Sequence, residues 1–224
     1  MVRFETYDYR RMRKIDMRQK LFFICVYFFS VAGIVAQPVS FDDVCENFAG
    51  HPNMTGNFTQ IKTIRAADRS LKSSGLFIFS TEGIVWKTEK PFPSSLAVGK
   101  TSVIQTRADG SRSVIDASSN RIFMSIASTL SSLFRGDSAA LHENFNVSFS
   151  PLPHGWKAEL SPKDSVVASV LTSLLLSGKT DGSFAELDSI RMTEASGDTI
   201  TYVFTEQKYP EELTADEKAF FIAE

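Results

Sequence analysis

Leu71-Lys-Ser-Ser-Gly-Leu-Phe-Ile-Phe-Ser80, Thr81-Glu-Gly83 and Ile84-Val-Trp-Lys-Thr88 follow one another without a gap. The first run contains Leu76-Phe77-Ile78-Phe79, apolar at every position, so it reads as a strand covered on both faces. Glu82-Gly83 is a turn signal, and beyond it Ile84, Trp86 and Thr88 alternate with Val85 and Lys87. Two strands joined by so short a turn must be antiparallel, because a parallel pair needs a crossover of a dozen residues or so.

Period two recurs along the chain. Phe58, Gln60 and Lys62 alternate with Thr59, Ile61 and Thr63. Phe145, Val147 and Phe149 alternate with Asn146, Ser148 and Ser150, and Trp156, Ala158 and Leu160 alternate with Lys157 and Glu159. Ile200, Tyr202 and Phe204 complete the set. Turn signals separate the runs: Pro91-Phe92-Pro93, Asp109-Gly110, His154-Gly155, Asp181-Gly182 and Gly197-Asp198. Trp86 to Val98 and on to Gln105 leaves no room for crossover helices. The pattern predicts a mainly β domain, an antiparallel meander curled into a sandwich or barrel.

Three segments depart from it. Ser40 to Ala49 opens with a cap residue and an acid three positions on, and reads as a short helix. Arg121 to Arg135 sets Ile122, Ile126, Leu130, Leu133 and Phe134 on one helical stripe, with Ser125, Ser128, Ser131 and Ser132 between them. Leu213 to Ala223, just after Pro210, reads as a terminal helix. No repeat or low-complexity linker interrupts the chain, which implies one domain.

The first 36 residues are of a different composition. Seven basic residues precede the uncharged run Leu21–Val35, and Ala36 stands before Gln37-Pro38. A basic head, a short apolar stretch and a small residue describe a secretory signal peptide cut after Ala36. A membrane anchor is the competing reading, disfavoured because a spanning helix needs about 20 apolar residues. Met17 begins a more compact signal and is an alternative start. Neither Cys25 nor Cys45 follows the small residues that a lipid-modified cysteine requires. Beyond residue 36 lie 17 basic and 23 acidic side chains, a net charge of −6, with Cys45 the one thiol. That balance offers no footprint for nucleic acid or for anionic lipid surfaces, and a lone thiol near Val44 and Phe48 reads as buried and inert.

Catalytic constellations are missing. His51, His142 and His154 are the three histidines, none in a metal-ligand spacing, and there is no G-x-S-x-G elbow, P-loop or G-x-G-x-x-G. Asp42-Asp43 and Glu211-Glu212 flank helices, where solvation accounts for them. No enzyme, metal site or cofactor is expected. An enzyme would require one of the histidines to meet a carboxylate or Cys45 in a pocket. Asn53-Met-Thr55, Asn57-Phe-Thr59 and Asn146-Val-Ser148 are formal glycosylation acceptors read as chance matches.

Fourteen of the 19 phenylalanines and both tryptophans lie beyond residue 36. Rings at strand period ordinarily make a core; the alternative is an apolar cavity with the 121–135 helix as a movable cover.

The order of short motifs bears on that choice. Phe58-x-Gln60-x-Lys62 is followed by Ser74-Gly75, Gly83-Ile-Val-Trp86 and Lys90-Pro91-Phe92. Leu133-Phe-Arg-Gly136-Asp137, Leu141, Asn144-Phe145, Gly155-Trp156-x-x-x-Leu160-x-Pro162 and Gly197-Asp198-Thr199 come next, and Leu213-Thr-x-x-Glu217 leads to Phe220-Phe221. From about Phe41 onward the chain resembles the LolA-like periplasmic carriers of outer-membrane lipoproteins. The resemblance implies an unclosed antiparallel half-barrel whose concave apolar face is covered by short helices, spanning residues 37–224. It implies a monomeric periplasmic carrier that shields acyl chains of lipoproteins or lipids. Such a carrier takes cargo from an inner-membrane donor to an outer-membrane acceptor, without cofactor or chemistry. Cargo is expected against Phe58, Phe77, Phe79, Ile84, Trp86, Trp156 and Leu160 on the sheet, and against Ile122, Ile126, Leu130 and Phe134 on the lid. A sensor or interaction module that binds lipid or a regulatory partner without transport is the alternative. One departure stands out: the arginine that latches the lid in that family falls near Ser80 here, so the latch is absent or differently built.

Overall fold

The computed structural model describes residues 39–99, 102–116, 121–181 and 184–222, the side chains of 115, 116 and 121–126 excepted. The signal-peptide reading of residues 1–36, with Met17 as alternative start, lies outside the described residues.

Helix α1 (Phe41–Ala49) begins where the sequence places it. The Ser40 hydroxyl accepts from the Asp43 N–H at 3.1 Å, and Asp43 Oδ2 accepts from the Ser40 N–H at 2.8 Å. This reciprocal pair satisfies two of the helix's free donors. Those hydrogen bonds from Ser40 also hold the Asp43 carboxyl below its ordinary pKa.

Six strands then follow in a meander: β1 (Asn53–Ile64), β2 (Arg69–Ser80), β3 (Gly83–Lys90), β4 (Ser94–Gly99), β5 (Ser102–Thr106) and β6 (Arg112–Asp116). Helices α2 (Arg121–Phe134) and α3 (Ser138–Asn144) come next. A second meander comprises β7 (Phe145–Leu152), β8 (Gly155–Pro162), β9 (Leu171–Lys179), β10 (Ser189–Glu194) and β11 (Thr199–Lys208), with the one-turn α4 (Ser165–Ala168) between β8 and β9. Helix α5 (Ala215–Ala219) follows β11. Antiparallel pairing of β1 with β11 joins the two meanders into one 11-stranded sheet, β6-β5-β4-β3-β2-β1-β11-β10-β9-β8-β7. The strands β6 and β7 end the sheet on either side, so it is not closed, as the half-barrel reading requires.

Register sorts the side chains by face. Phe77 stands opposite Trp86 and Phe79 opposite Ile84. Phe58 stands opposite Phe204, and Gln60 opposite Tyr202. These face inward with Leu174, Leu176, Ala158 and Leu160 of the second meander. Helix α1 (Phe41, Val44, Cys45, Phe48), the C-terminal half of α2 (Leu130, Leu133) and α3 (Leu141) pack upon that concave face in one cluster. The opposite parity, Ile78, Val85, Ala97 and Ile104, forms a smaller outer cluster under Leu213, Phe220 and Phe221. Two-sided covering explains why Phe77 to Phe79 lacks polar alternation, while Leu76 stays partly exposed.

The structure corrects several expectations. The terminal helix is five residues, not the whole of 213–223; Thr214 caps it through the Glu217 N–H, and the phenylalanines lie beyond its end. The α3 and α4 turns and the strands β9 and β10 carry no separate sequence prediction; both meanders are longer than their clearest alternations. Helix α2 is not uniformly polar opposite its apolar stripe. Ser132 and Thr129 are buried, because α1 and α3 pack alongside its C-terminal half. Among the formal glycosylation acceptors, Asn53 is 7% exposed and donates Nδ2 to the Pro210 and Glu211 carbonyls, and Asn57 Nδ2 donates to Glu206. Both amides are engaged in hydrogen bonds, that of Asn53 inside the fold and that of Asn57 at its surface.

Candidate functional site

The concave face is filled at one end and hollow at the other. At the filled end, Phe79 stacks on Phe134 with centroids 4.2 Å apart, and Phe48 meets Phe134 at 5.5 Å and Trp156 at 6.1 Å edge to face. Phe77 and Phe79 meet Phe204 at 4.8 and 5.8 Å. The rings interlock as offset and perpendicular aromatic pairs do in a core. A recess of about 320 Å³ remains beside them, bordered by Phe48, Met54, Phe79, Phe134, Arg135 and Tyr209.

Farther along the same face lies a cavity of about 410 Å³ between α2 and the sheet. Trp86, Leu96 and Gln105 form its wall on the first meander. Leu174, Ile190 and Met192 form it on the second, with Ala127 and Leu130 on the helix. Gln60, Ile200 and Tyr202 bring β1 and β11 to the middle. No lining residue carries a charge. Its size falls within the roughly 300–1,000 Å³ typical of small-molecule sites.

The residues expected to touch cargo divide between these regions. Trp86 and Leu130 line the cavity. Phe79 and Phe134 border the smaller recess. Phe58, Phe77, Ile84, Trp156 and Leu160 are buried in the aromatic and aliphatic cluster beside it. The side chains of Ile122 and Ile126 lie outside the described residues. Sequence reasoning passed over Gln60, Gln105, Leu174, Ile190, Met192, Ile200 and Tyr202 as site residues. The alternation Ile200-x-Tyr202-x-Phe204 signalled the correct face, but only the β1–β11 pairing shows that this face fronts the hollow. The Ser80 hydroxyl accepts from the Glu82 N–H at 3.0 Å and closes the local turn.

The histidines do not form a constellation. His51 packs on Tyr209 and Phe184, with centroids 4.6 and 5.5 Å away. His142 Nε2 lies 3.4 Å from Asp42 Oδ1 on the exposed side of α1 and α3. His154 sits in the β7–β8 turn. Among the described residues, no group of three His, Cys, Asp or Glu side chains could hold a metal ion. No described helix is long and apolar enough to cross a membrane.

Burial pushes the Cys45 thiol up to about 12, with the Asp42 and Asp137 carboxylates adding to it. Burial likewise raises Tyr202 to about 12, and burial with Glu186 and Asp188 raises Tyr209 to about 12. All three folded-state values exceed the ordinary ones of roughly 8.5 for Cys and 10 for Tyr. Their contribution to stability is therefore whole below those values and lost as pH climbs toward about 12. Two results are expected. The midpoint of thermal unfolding falls steadily above about pH 9. In a Cys25→Ser background, an aromatic disulfide reagent leaves native Cys45 untouched at neutral pH and reacts fully in denaturant. Rapid native-state reaction would show an accessible, activated thiol.

A family profile described as "Outer membrane lipoprotein carrier protein LolA" matches residues 50–221. Among solved structures, a LolA superfamily protein from Nitrosomonas europaea is similar at 10% identity and a TM-score of 0.44, over 81% of this chain and 97% of that one. A DUF1329 family protein from Desulfovibrio piger is similar at 9% identity and a TM-score of 0.46, over 81% and 95%. No curated protein matches the chain.

Proposed function

The chain belongs to the LolA family, and from that membership we propose that it is a periplasmic carrier which holds acyl chains of lipids or lipoproteins in the cavity beneath α2. The observation that carries the reading is the uncharged hollow of about 410 Å³ left between α2 and the concave face. Each methylene leaving water gains about 0.8 kcal/mol, so a long acyl chain gains on the order of 10 kcal/mol. A carrier must also release its cargo. Here the closed state satisfies part of its own apolar surface: Phe134 covers Phe79, and Leu130 and Leu133 are buried against the sheet side. Cargo that enters by displacing α2 gives up those contacts, and their recovery favours release. In this reading Trp86 and Leu130 touch cargo in the closed state. The packed residues, Phe58, Phe77, Phe79, Ile84, Trp156, Leu160 and Phe134, become contacts only as the lid moves, together with Ile122 and Ile126. An inner-membrane donor and an outer-membrane acceptor protein are the partners, and the carrier acts as a monomer without chemistry.

The test is displacement of a fluorescent acyl probe from the purified chain. Leu174→Trp and Ile190→Trp, which fill the cavity from the second meander, are expected to weaken probe binding at least about tenfold while the fold is kept. A wild-type protein that binds no acyl probe, or cavity-filling variants that bind as well as wild type, would remove the carrier reading. Transfer of an acylated protein from donor to acceptor vesicles separates carriage from simple lipid sensing.

A further inference from the structure

Six polar side chains interrupt the cavity's apolar wall, the short hydroxyls of Thr88, Ser94 and Ser95 and three longer groups. The Gln60 amide and the Tyr202 hydroxyl come from directly paired positions on β1 and β11, and the Gln105 amide comes from β5. No side-chain hydrogen bond engages any of the three within the described structure. Buried polar groups are ordinarily paired, and those facing a cavity take their partners from water or from a ligand. A guest that displaces water without replacing its hydrogen bonds leaves donors and acceptors stranded, which weakens binding. A bare hydrocarbon does that here. A carboxylate could accept the bonds, but it would enter a wall holding no cation to offset its charge. A neutral carbonyl accepts from the amide N–H groups and the phenol O–H, and an amide linkage can also donate to a glutamine oxygen.

On the carrier reading above, we propose that the cavity selects acyl chains through a neutral ester or amide linkage, recognised by Gln60, Gln105 and Tyr202. Hydrocarbon would lie against Leu174, Ile190 and Met192, with the linkage turned toward the β1–β11 seam and β5. The cross-strand pairing of Gln60 with Tyr202 sets two hydrogen-bonding side chains side by side. A linkage carbonyl could then bind both together.

The experiment uses the full chain and three competitors of matched chain length, a monoacylglycerol, a fatty acid and an n-alkane, each displacing one fluorescent acyl probe. The monoacylglycerol is expected to compete best. Gln60→Leu, Gln105→Leu and Tyr202→Phe are each expected to lower its affinity roughly twofold to tenfold, the equivalent of one hydrogen bond, and to leave the alkane as tight or tighter. An isotope-labelled ester carbonyl should show a lowered infrared stretch when bound, which moves back toward the unbonded frequency in Tyr202→Phe. That variant keeps the ring and so keeps the wall. Substitutions that shift ester and alkane alike, an unshifted carbonyl band, or a fatty acid that competes as well as the ester would overturn the inference and leave the carrier reading in place. Failure of all the probes to bind would remove both.

Discussion

Trp156→Ala is expected to lower the unfolding free energy by about 3–5 kcal/mol, among the largest single losses available in this chain. Trp156 has no exposed surface and meets the edge of Phe48, which anchors α1. It stands opposite Gly178, where an added Cβ would lie 2.9 Å from the indole Cε2 and still closer to the Glu186 carbonyl oxygen. The glycine therefore makes the space that the indole occupies, and truncating the indole leaves a hole that backbone pairing cannot close. The companion variant should behave very differently. The Trp156 Nε1 is buried without an acceptor, as is that of Trp86, and an unpaired buried donor costs about 1–3 kcal/mol. Trp156→Phe loses ring area but also removes that donor, so its net change should be within about 1 kcal/mol. Denaturant unfolding of both variants checks the pair. An Ala variant as stable as wild type would mean that Trp156 does not hold α1 to the sheet. A variant that kept its stability and lost acyl-probe binding would make Trp156 a wall of the guest site.

Phe79→Ala should be as costly, about 3–5 kcal/mol, because Phe79 joins the sheet to the lid. It is buried among Phe77 at 4.9 Å, Trp86 at 5.6 Å and Phe204 at 5.8 Å, and it stacks on Phe134 of α2. Phe134 is only partly buried, so Phe134→Ala should cost less, about 1.5–3 kcal/mol. The loss should also be distributed differently. Amide exchange in α2 should accelerate more than exchange in β1 and β2, whose ladders do not depend on Phe134. A double-mutant cycle should report a coupling of about 0.5–1.5 kcal/mol beyond area burial. In the carrier reading this stack serves as an apolar latch, and loosening it should speed probe entry and exit together. A cycle with no coupling, or α2 exchange unchanged in Phe134→Ala, would show that the lid is held elsewhere.

Several features were legible because they depend on neighbours in sequence. Ser40 and Asp43 announce a capping box that needs only residues three positions apart along the chain to form. The alternations at Ile84–Thr88 and Phe145–Ser150 disclose strands because period two is a property of the backbone itself. Phe77 and Phe79 must share a face for the same reason. Ile78 and Val85 show which parity the outer cluster takes, but nothing local says that Leu213 and Phe220 will cover them. Nor does the lid's apolar stripe reveal that Ser132 and Thr129 are buried, since that burial comes from α1 and α3, which are distant in sequence.

The sequence by itself determined the strands with clear alternation, their antiparallel sense, the Ser40 cap and the likeness to a carrier family, all of them carried by spacing of a few residues or by ordered motifs. Only the tertiary structure decided which rings are core and which line a void. Phe58 and Gln60 lie two residues apart on one face, yet one is sealed among aromatics and the other fronts the hollow. The difference arises because β1 pairs with β11 across most of the chain, while α1 and α2 cover one end of the face more completely than the other. Burial depends on what packs above a residue, and that is set by long-range contacts that no local period encodes.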